Sequence, residues 1–229
     1  MIEIIQTGQF GKTSNLIDMH RLRKIIFKDR MGWDVDITHD ELEIDNYDLP
    51  ETIYILVKDD KGRATGVWRM LPSSSPSMIR DIWPEFLADF PIPISNTAWE
   101  VSRFGVHTYD TTSTKDHIKQ VNLTTAKLIL TLVQVCQMVG IEDIYTLYNP
   151  QVGRSVRRIG FIPEEVSKEH LVDGKPSIVG RFKMDKTALK RIREKTGLDF
   201  TITKDDLPPS LQERLHVHIP ENTKELVYA

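Results

Sequence analysis

The stretch Trp99-Glu100-Val101-Ser102-Arg103-Phe104-Gly105-Val106 constrains this chain more than any other. Its apolar residues read as a buried strand, yet it carries an acid and a guanidinium. Charges in such a run are costly unless they pair or hold a ligand. Alternation along a strand sends positions 100 and 103 to opposite faces. Use of both at one place therefore requires a β-bulge or a strand end, and bulges are over-represented beside active sites.

A chain of 229 residues is long enough for one large domain or two small ones. Its net charge of -3 argues against nucleic-acid binding by bulk charge. The single cysteine, Cys136, excludes a disulfide framework. It lies in an apolar helical run and reads as core filler rather than nucleophile. Residues 1–5 carry an early acid and no basic region, which argues against a signal peptide. The richest apolar run, 128–141, is interrupted by Thr131, Gln134 and Gln137, so no membrane span is expected. A reducing cytoplasmic location is the default expectation.

Periodicity predicts strands at 2–5, 52–57, 64–71, 98–107, 143–147 and 178–184, and helices at 14–30, 116–139, 150–159 and 186–196. Asp59-Asp60-Lys61-Gly62 closes a hairpin between the second and third strands. Gly140 and Gly160 mark helix ends. Residues 31–50 are acidic and irregular. The order of elements predicts a mixed α/β layer structure. Residues 1–197 form one domain on this reading, and 198–229, acidic and weakly patterned, a C-terminal appendage.

Four clusters hold charges or aromatics where a plain fold needs few: Arg23, Phe27 and Trp33; Glu43, Asp45 and Asp48, with Tyr47; Arg69; and Glu100 with Arg103. Each alone has a plain explanation. Phe27 and Trp33 suit a core edge, the acids a solvated loop, and Arg69 a structural bridge to Glu100. Residues Arg154, Arg157 and Arg158 suit a solvated basic face. The pair His216 and His218 lacks further converging ligands for a metal, and none is expected.

Order and spacing together say more. The pattern is Arg23-x3-Phe27-x5-Trp33, Glu43-x-Asp45-x-x-Asp48, Arg69-Met70-Leu71-Pro72, Pro76-x-Met78 and Trp99-Glu100-x-Ser102-Arg103-Phe104. Over about residues 15–185 this resembles the acyl-homoserine-lactone synthases, the autoinducer synthases of bacterial quorum sensing. The resemblance implies an N-acetyltransferase-like three-layer α/β sandwich with a mixed, mostly antiparallel central sheet. It implies transfer of an acyl chain from acyl-acyl-carrier protein, or acyl-CoA, to the amine of S-adenosylmethionine. Lactonisation then releases methylthioadenosine. S-adenosylmethionine is a substrate, and no cofactor is implied.

It also assigns roles. Glu43, Asp45, Glu100 and Arg103 would be catalytic. Arg23, Phe27, Trp33, Asp48 and Arg69 would bind S-adenosylmethionine, and Trp83, Ser102 and Thr146 would line the acyl pocket. Arg154, Arg157 and Arg158 would dock an acidic carrier protein. The chemistry is coherent. A carboxylate suits guanidinium forks, a sulfonium suits acids, and adenine suits an aromatic face. Glu100 or Glu43 would take the amine proton. Where the family usually has Phe, this chain has Trp83. Thr146 reads equally as a strand residue without a ligand or as a donor to an acyl chain oxygenated at its third carbon.

A CoA-dependent N-acetyltransferase is the main alternative. Those enzymes carry a glycine-rich pyrophosphate cradle after the central strand. Here 108–117 contains no glycine, and the next is Gly140. A non-catalytic relative would be expected to lose charged positions that this chain keeps.

Overall fold

The computed structural model describes residues 1–9 and 11–218, with the side chains of 216–218 outside that description. Eight strands form one mixed sheet: β1 (Ile2–Gln6), β2 (Ile53–Lys58), β3 (Ala64–Pro72), β4 (Ala98–Val106), β5 (Asp143–Tyr148), β6 (Glu165–Val166), β7 (His170–Val172) and β8 (Lys175–Lys183). The spatial order is β1-β2-β3-β4-β5-β8-β6, with β7 also on β8. All the pairings are antiparallel except β4 with β5. Periodicity missed β6 and β7, which are too short to show alternation.

Helices cover both faces and make the sandwich. On one side lie α3 (Thr114–Val139), α5 (Lys186–Thr196) and α6 (Pro209–His218). Leu128, Ile129, Leu132, Val135 and Val139 of α3 pack with Ile55, Trp68, Met70, Val101 and Ile144 of the sheet. Ser113 caps the start of α3 by accepting the Asp116 N–H, and Gly140, at φ 71°, ends it in the left-handed conformation that glycine tolerates. By length and composition alone α3 would pass for a membrane-crossing helix. In this fold 67% of its apolar window is buried inside the protein, which makes it the core helix. Cys136 lies fully buried there, and burial pushes its thiol pKa up, as expected of core filler.

On the opposite side α1 (Thr13–Arg23) runs into a wide π-helical turn, Lys24–Arg30. Met19, Leu22, Ile26 and Phe27 pack on Ile5, Tyr54, Leu56 and Val67. Gly105 lets this turn sit close to β4, since a Cβ there would lie 2.8 Å from Ile26 Cδ1. A short helix, α2 (Met78–Ile82), and a 3₁₀ turn, Pro84–Ala88, cover the same face further along.

The segment after 197 is not separate from the core. Ile202, Leu207 and Leu211 are buried with α3. The Gln134 side chain accepts the Ile202 N–H at 3.1 Å, and Arg214 donates to the Asn96 carbonyl at 2.7 Å. Its polar composition hid three apolar residues at wide spacing. The described part of 198–229 therefore packs on the same core as the residues before it. Residues 219–229 lie outside the described residues.

Candidate active site

The site begins with the backbone of β4. Ser102 pairs with Arg69, but Val67 pairs with Gly105, so Arg103 and Phe104 together face Trp68. This is a bulge, and Arg103 sits in it at φ 55°. A non-glycine residue in the left-handed region is uncommon and marks a constrained position. The inserted residue resets the alternation. Glu100, Ser102 and Arg103 all serve the α1 face, while Phe104 turns to the other face beside Trp68. The bulge that the charge spacing required is present.

Around it three guanidiniums and three carboxylates interlock. Arg23 and Glu43 have fully buried side chains and form an ion pair through Arg23 Nε. Arg23 also grips Asp48 with both terminal nitrogens, at 2.6 and 2.9 Å. Arg69 Nη1 donates to Asp45 at 2.5 Å and to Asp48 at 3.0 Å, and its Nε donates to the Ser102 hydroxyl at 3.0 Å. Arg103 bonds Glu43 through Nε at 3.1 Å and pairs with Asp45 through Nη2 at 2.6 Å. The Tyr54 hydroxyl donates to Asp48 at 2.6 Å. The formal charges of the six groups cancel, which is what makes their burial tolerable.

Every nitrogen of Arg23 is directed at a carboxylate. Two other nitrogens are not so committed: Arg69 Nη2 and Arg103 Nη1 both point to Met78 Sδ, at 2.8 and 3.7 Å. A thioether is a weak acceptor. The two guanidiniums therefore present converging donors that an incoming carboxylate can take.

Glu100 stands apart from the arginines and forms no bridge with Arg69. It receives the Ser77 hydroxyl and the Met78 and Ile79 N–H groups, the latter two at 3.1 and 3.4 Å, at the start of α2. Burial raises its pKa, opposed by these hydrogen bonds and by Arg69. Asp48 moves the other way. Burial alone would raise it, but Arg23 and Arg69 hold it well below the usual carboxylate range.

That shift has a sign. A depressed carboxylate contributes stability that is fully present above its unfolded pKa, about 3.9, and is lost as pH falls through its folded value. Asp48→Asn is expected to cost about 3–5 kcal/mol at neutral pH, because two buried guanidiniums lose a partner. It is also expected to flatten the acid limb of stability below about pH 4. Urea midpoints at a series of pH values test both, and an unchanged acid limb would refute the assignment.

Beside this network the sheet opens. β4 and β5 pair only at 98–100 with 143–145, and the strands are unpaired beyond. The gap leads to a cavity of about 210 Å³. Phe27, Trp33, Ser102 and Arg103 stand at its polar end, and Trp68, Phe104, Thr146, Tyr148, Val156, Phe161 and Phe182 line its apolar length. The cavity passes from the α1 face through the sheet to the α3 side. Trp33 stacks on Phe27 at 5.1 Å and 16° and stays 39% exposed, so one indole face is free. The guanidinium of Arg103 lies 5.5 Å from the Phe27 ring centre.

The structure thus brings together Arg23, Phe27, Trp33, Glu43, Asp45, Asp48, Arg69, Ser102 and Arg103, with Thr146 further along the cavity. Trp83 is elsewhere. It packs on the cluster of Ile79, Phe86, Phe90, Ala98, Tyr145 and Val179 and does not line the cavity. Pro84 starts the 3₁₀ turn directly after it and directs the chain into that cluster. Arg154, Arg157 and Arg158 lie exposed on helix α4 (Pro150–Arg158), whose Val152 and Val156 line the cavity. The side chains of His216 and His218 lie outside the described residues. Sequence reasoning missed Trp68, Phe104, Tyr148, Phe161 and Phe182. Ordinary core residues look the same in sequence, and only the adjacency of Trp68 and Phe104 to the two arginines was a signal.

A sheet split between adjacent parallel strands, with a charge-balanced polar end and an apolar bore, is an N-acetyltransferase-like architecture. Residues 9–192 match the family described as Autoinducer synthase. An acyl-homoserine-lactone synthase of Pseudomonas aeruginosa is 38% identical over 109 residues, covering 47% of this chain and 53% of that protein. One of Rhizobium etli is 32% identical over 160 residues, covering 69% and 72%. The crystal structure of the AHL synthase LasI superposes with a TM-score of 0.70 at 26% identity, covering 89% of this chain and 98% of that one. The chain belongs to the autoinducer synthase family.

Proposed function

We propose that this chain transfers an acyl group to the amine of S-adenosylmethionine and closes the product to an acyl-homoserine lactone, releasing methylthioadenosine. The observation that carries the reading is the bulge at Arg103. It sets a charge-balanced cluster at one end of an apolar cavity, with Arg103 in the cavity lining and the fully buried Arg69 next to it across Met78. Arg69 Nη2 and Arg103 Nη1 take the substrate carboxylate, the free face of Trp33 takes the adenine, and Asp45 lies on the sulfonium side. Glu100, with its raised pKa, is a better acceptor for the amine proton than Glu43, which two guanidiniums already hold. The acyl chain lies in the cavity across the sheet. Beyond Glu100 and Tyr145 the facing strand edges have no ladder partner, which leaves backbone N–H groups for the thioester oxyanion. In the second step the held carboxylate displaces methylthioadenosine, and positioning does most of the work.

The donor is carrier-linked on this reading. The basic side chains of α4 face outward while its inner side lines the cavity, so an acidic carrier docked there delivers its thioester to the opening. Both substrates place the reaction in the cytoplasm. Purified protein mixed with S-adenosylmethionine and a panel of carrier-linked and CoA-linked acyl chains tests the proposal. Methylthioadenosine release with lactones detected by mass spectrometry supports it, and no release with any donor overturns it. Turnover with CoA-linked chains alone would overturn the carrier assignment.

Thr146 lines the cavity, and among the described residues its hydroxyl has no protein hydrogen-bond partner, so it is open to a 3-oxo or 3-hydroxy group. Thr146→Val is expected to reduce kcat/KM for such donors about three- to tenfold relative to unsubstituted chains of equal length. An unchanged ratio would make Thr146 a packing residue.

A further inference from the structure

We infer that His20 is a positioning residue for this site, acting through Glu43 and setting a lower pH bound on nucleoside binding. The inference rests on the reading of the site as a binding place for S-adenosylmethionine. His20 lies in the last turns of α1 and is 7% exposed, yet its ring makes no hydrogen bond to the interlocked guanidiniums. It clasps the backbone of Glu43 instead. Its Nδ1–H donates to the Glu43 carbonyl at 2.8 Å, and its own carbonyl accepts the Glu43 N–H at 3.3 Å. The Glu43 side chain then reaches both Arg23 and Arg103.

The clasp matters because of what surrounds it. From 31 to 52 the chain has little regular structure, with one isolated bridge, Ile37 to Glu43. Thr38 and Leu42 close a local turn around Glu41, which sits at φ 62°. These contacts are internal to the loop. His20 ties Glu43 to the helical layer through neutral groups, whereas the other ties near it are ion pairs: those of the cluster that substrate must enter, and the partly exposed Lys24–Glu41 pair at 2.6 Å. Loss of the Nδ1 donor frees the Glu43 carbonyl in a buried place and lets the carboxylate that bridges Arg23 and Arg103 drift.

The groups facing the imidazole are Arg23 on its own helix, Glu43 and Asp48 on the loop, and Tyr54 of β2, whose ring meets it edge-on at 6.0 Å. Burial and then Arg23 lower its pKa, against Asp48 and Glu43, which favour the cation. His20 is therefore neutral with its proton on Nδ1. Protonation adds a charge beside Arg23 in a cluster whose formal charges already cancel. A histidine with a lowered folded pKa loses stabilisation as pH falls below its unfolded value, about 6.5. The loop loosens in that direction.

Two variants separate positioning from general structure. His20→Asn keeps an amide N–H near the place of Nδ1 and does not titrate, and His20→Leu removes the donor. The full chain is used, with binding of S-adenosylmethionine measured by calorimetry across pH and hydrogen exchange followed over 38–48. His20→Leu is expected to weaken binding about tenfold and speed exchange in 38–48. His20→Asn is expected to bind within a few-fold of the parent at neutral pH and to lose the parent's extra weakening on the acid side. The substrate's own groups titrate equally in both proteins, so the ratio of affinities isolates His20. The inference is overturned if a folded His20→Leu protein keeps parental affinity and exchange. It is also overturned if the ratio of His20→Asn to parent stays flat with pH, a test that stands even where His20→Leu does not fold. Because binding and exchange are read without an acyl donor, a failure of acyl transfer itself would appear separately.

Discussion

Replacing Arg103 with alanine is expected to reduce lactone synthesis by about two to four orders of magnitude while the protein stays folded. Two effects combine. The substitution removes one of the two uncommitted guanidinium nitrogens on Met78, and with it half of the proposed carboxylate grip. It also leaves Glu43 and Asp45 with less positive charge at close range, which shifts the field at the site toward negative. A loss of about 3–5 kcal/mol of transition-state stabilisation corresponds to roughly 10²- to 10⁴-fold in rate. The fold should survive, because the Arg103 side chain is 9% exposed at a cavity mouth and the bulge is held by its neighbours. Arg103→Lys separates charge from geometry. It keeps the cation but loses the planar fork, so it should recover little activity. Turnover by Arg103→Ala within tenfold of the parent, measured as methylthioadenosine release, would make the residue structural.

Arg23 should behave differently. Its side chain is fully buried, and its partners Glu43 and Asp48 have side-chain exposures of 0% and 2%. Burial disfavours its charge, yet Asp48 and Glu43 outweigh that and raise its pKa, so it stays a cation throughout. Arg23→Met preserves length and apolar stem but strands two carboxylates. It is expected to cost about 3–5 kcal/mol of stability, read as a fall in urea midpoint at constant slope, as well as activity. The contrast is the test. A loss of stability for Arg23→Met and little for Arg103→Ala matches one guanidinium that anchors the acidic loop and one that meets substrate. Equal losses would contradict that division.

Why the sequence revealed the charged half of the site and hid the other half follows from burial physics. Charged side chains in apolar runs need partners, so Arg69, Glu100 and Arg103 announced themselves, and the required bulge appeared at Arg103. The cavity walls gave no such signal. Phe161 and Phe182 stack at 4.1 Å like any core pair, and only the failure of β4 and β5 to stay paired turns them into a lining. Trp83 packs outside this cavity, and an aromatic beside a motif says nothing of which way Pro84 sends the chain. His20 was silent for a related reason, since its role lies in bonds to the backbone of a residue far along the chain.

The crossing of the sheet by the cavity has a practical corollary. In the proposed reaction the groups that grip the polar substrate hang from one side of β3 and β4, and the walls that would gauge acyl length belong to the other side, with β5, α4 and β8. Remodelling Val156, Phe161 or Phe182 to admit a bulkier tail leaves every guanidinium contact untouched, so a set of enzymes with distinct signal vocabularies can be built on one unaltered headgroup reader.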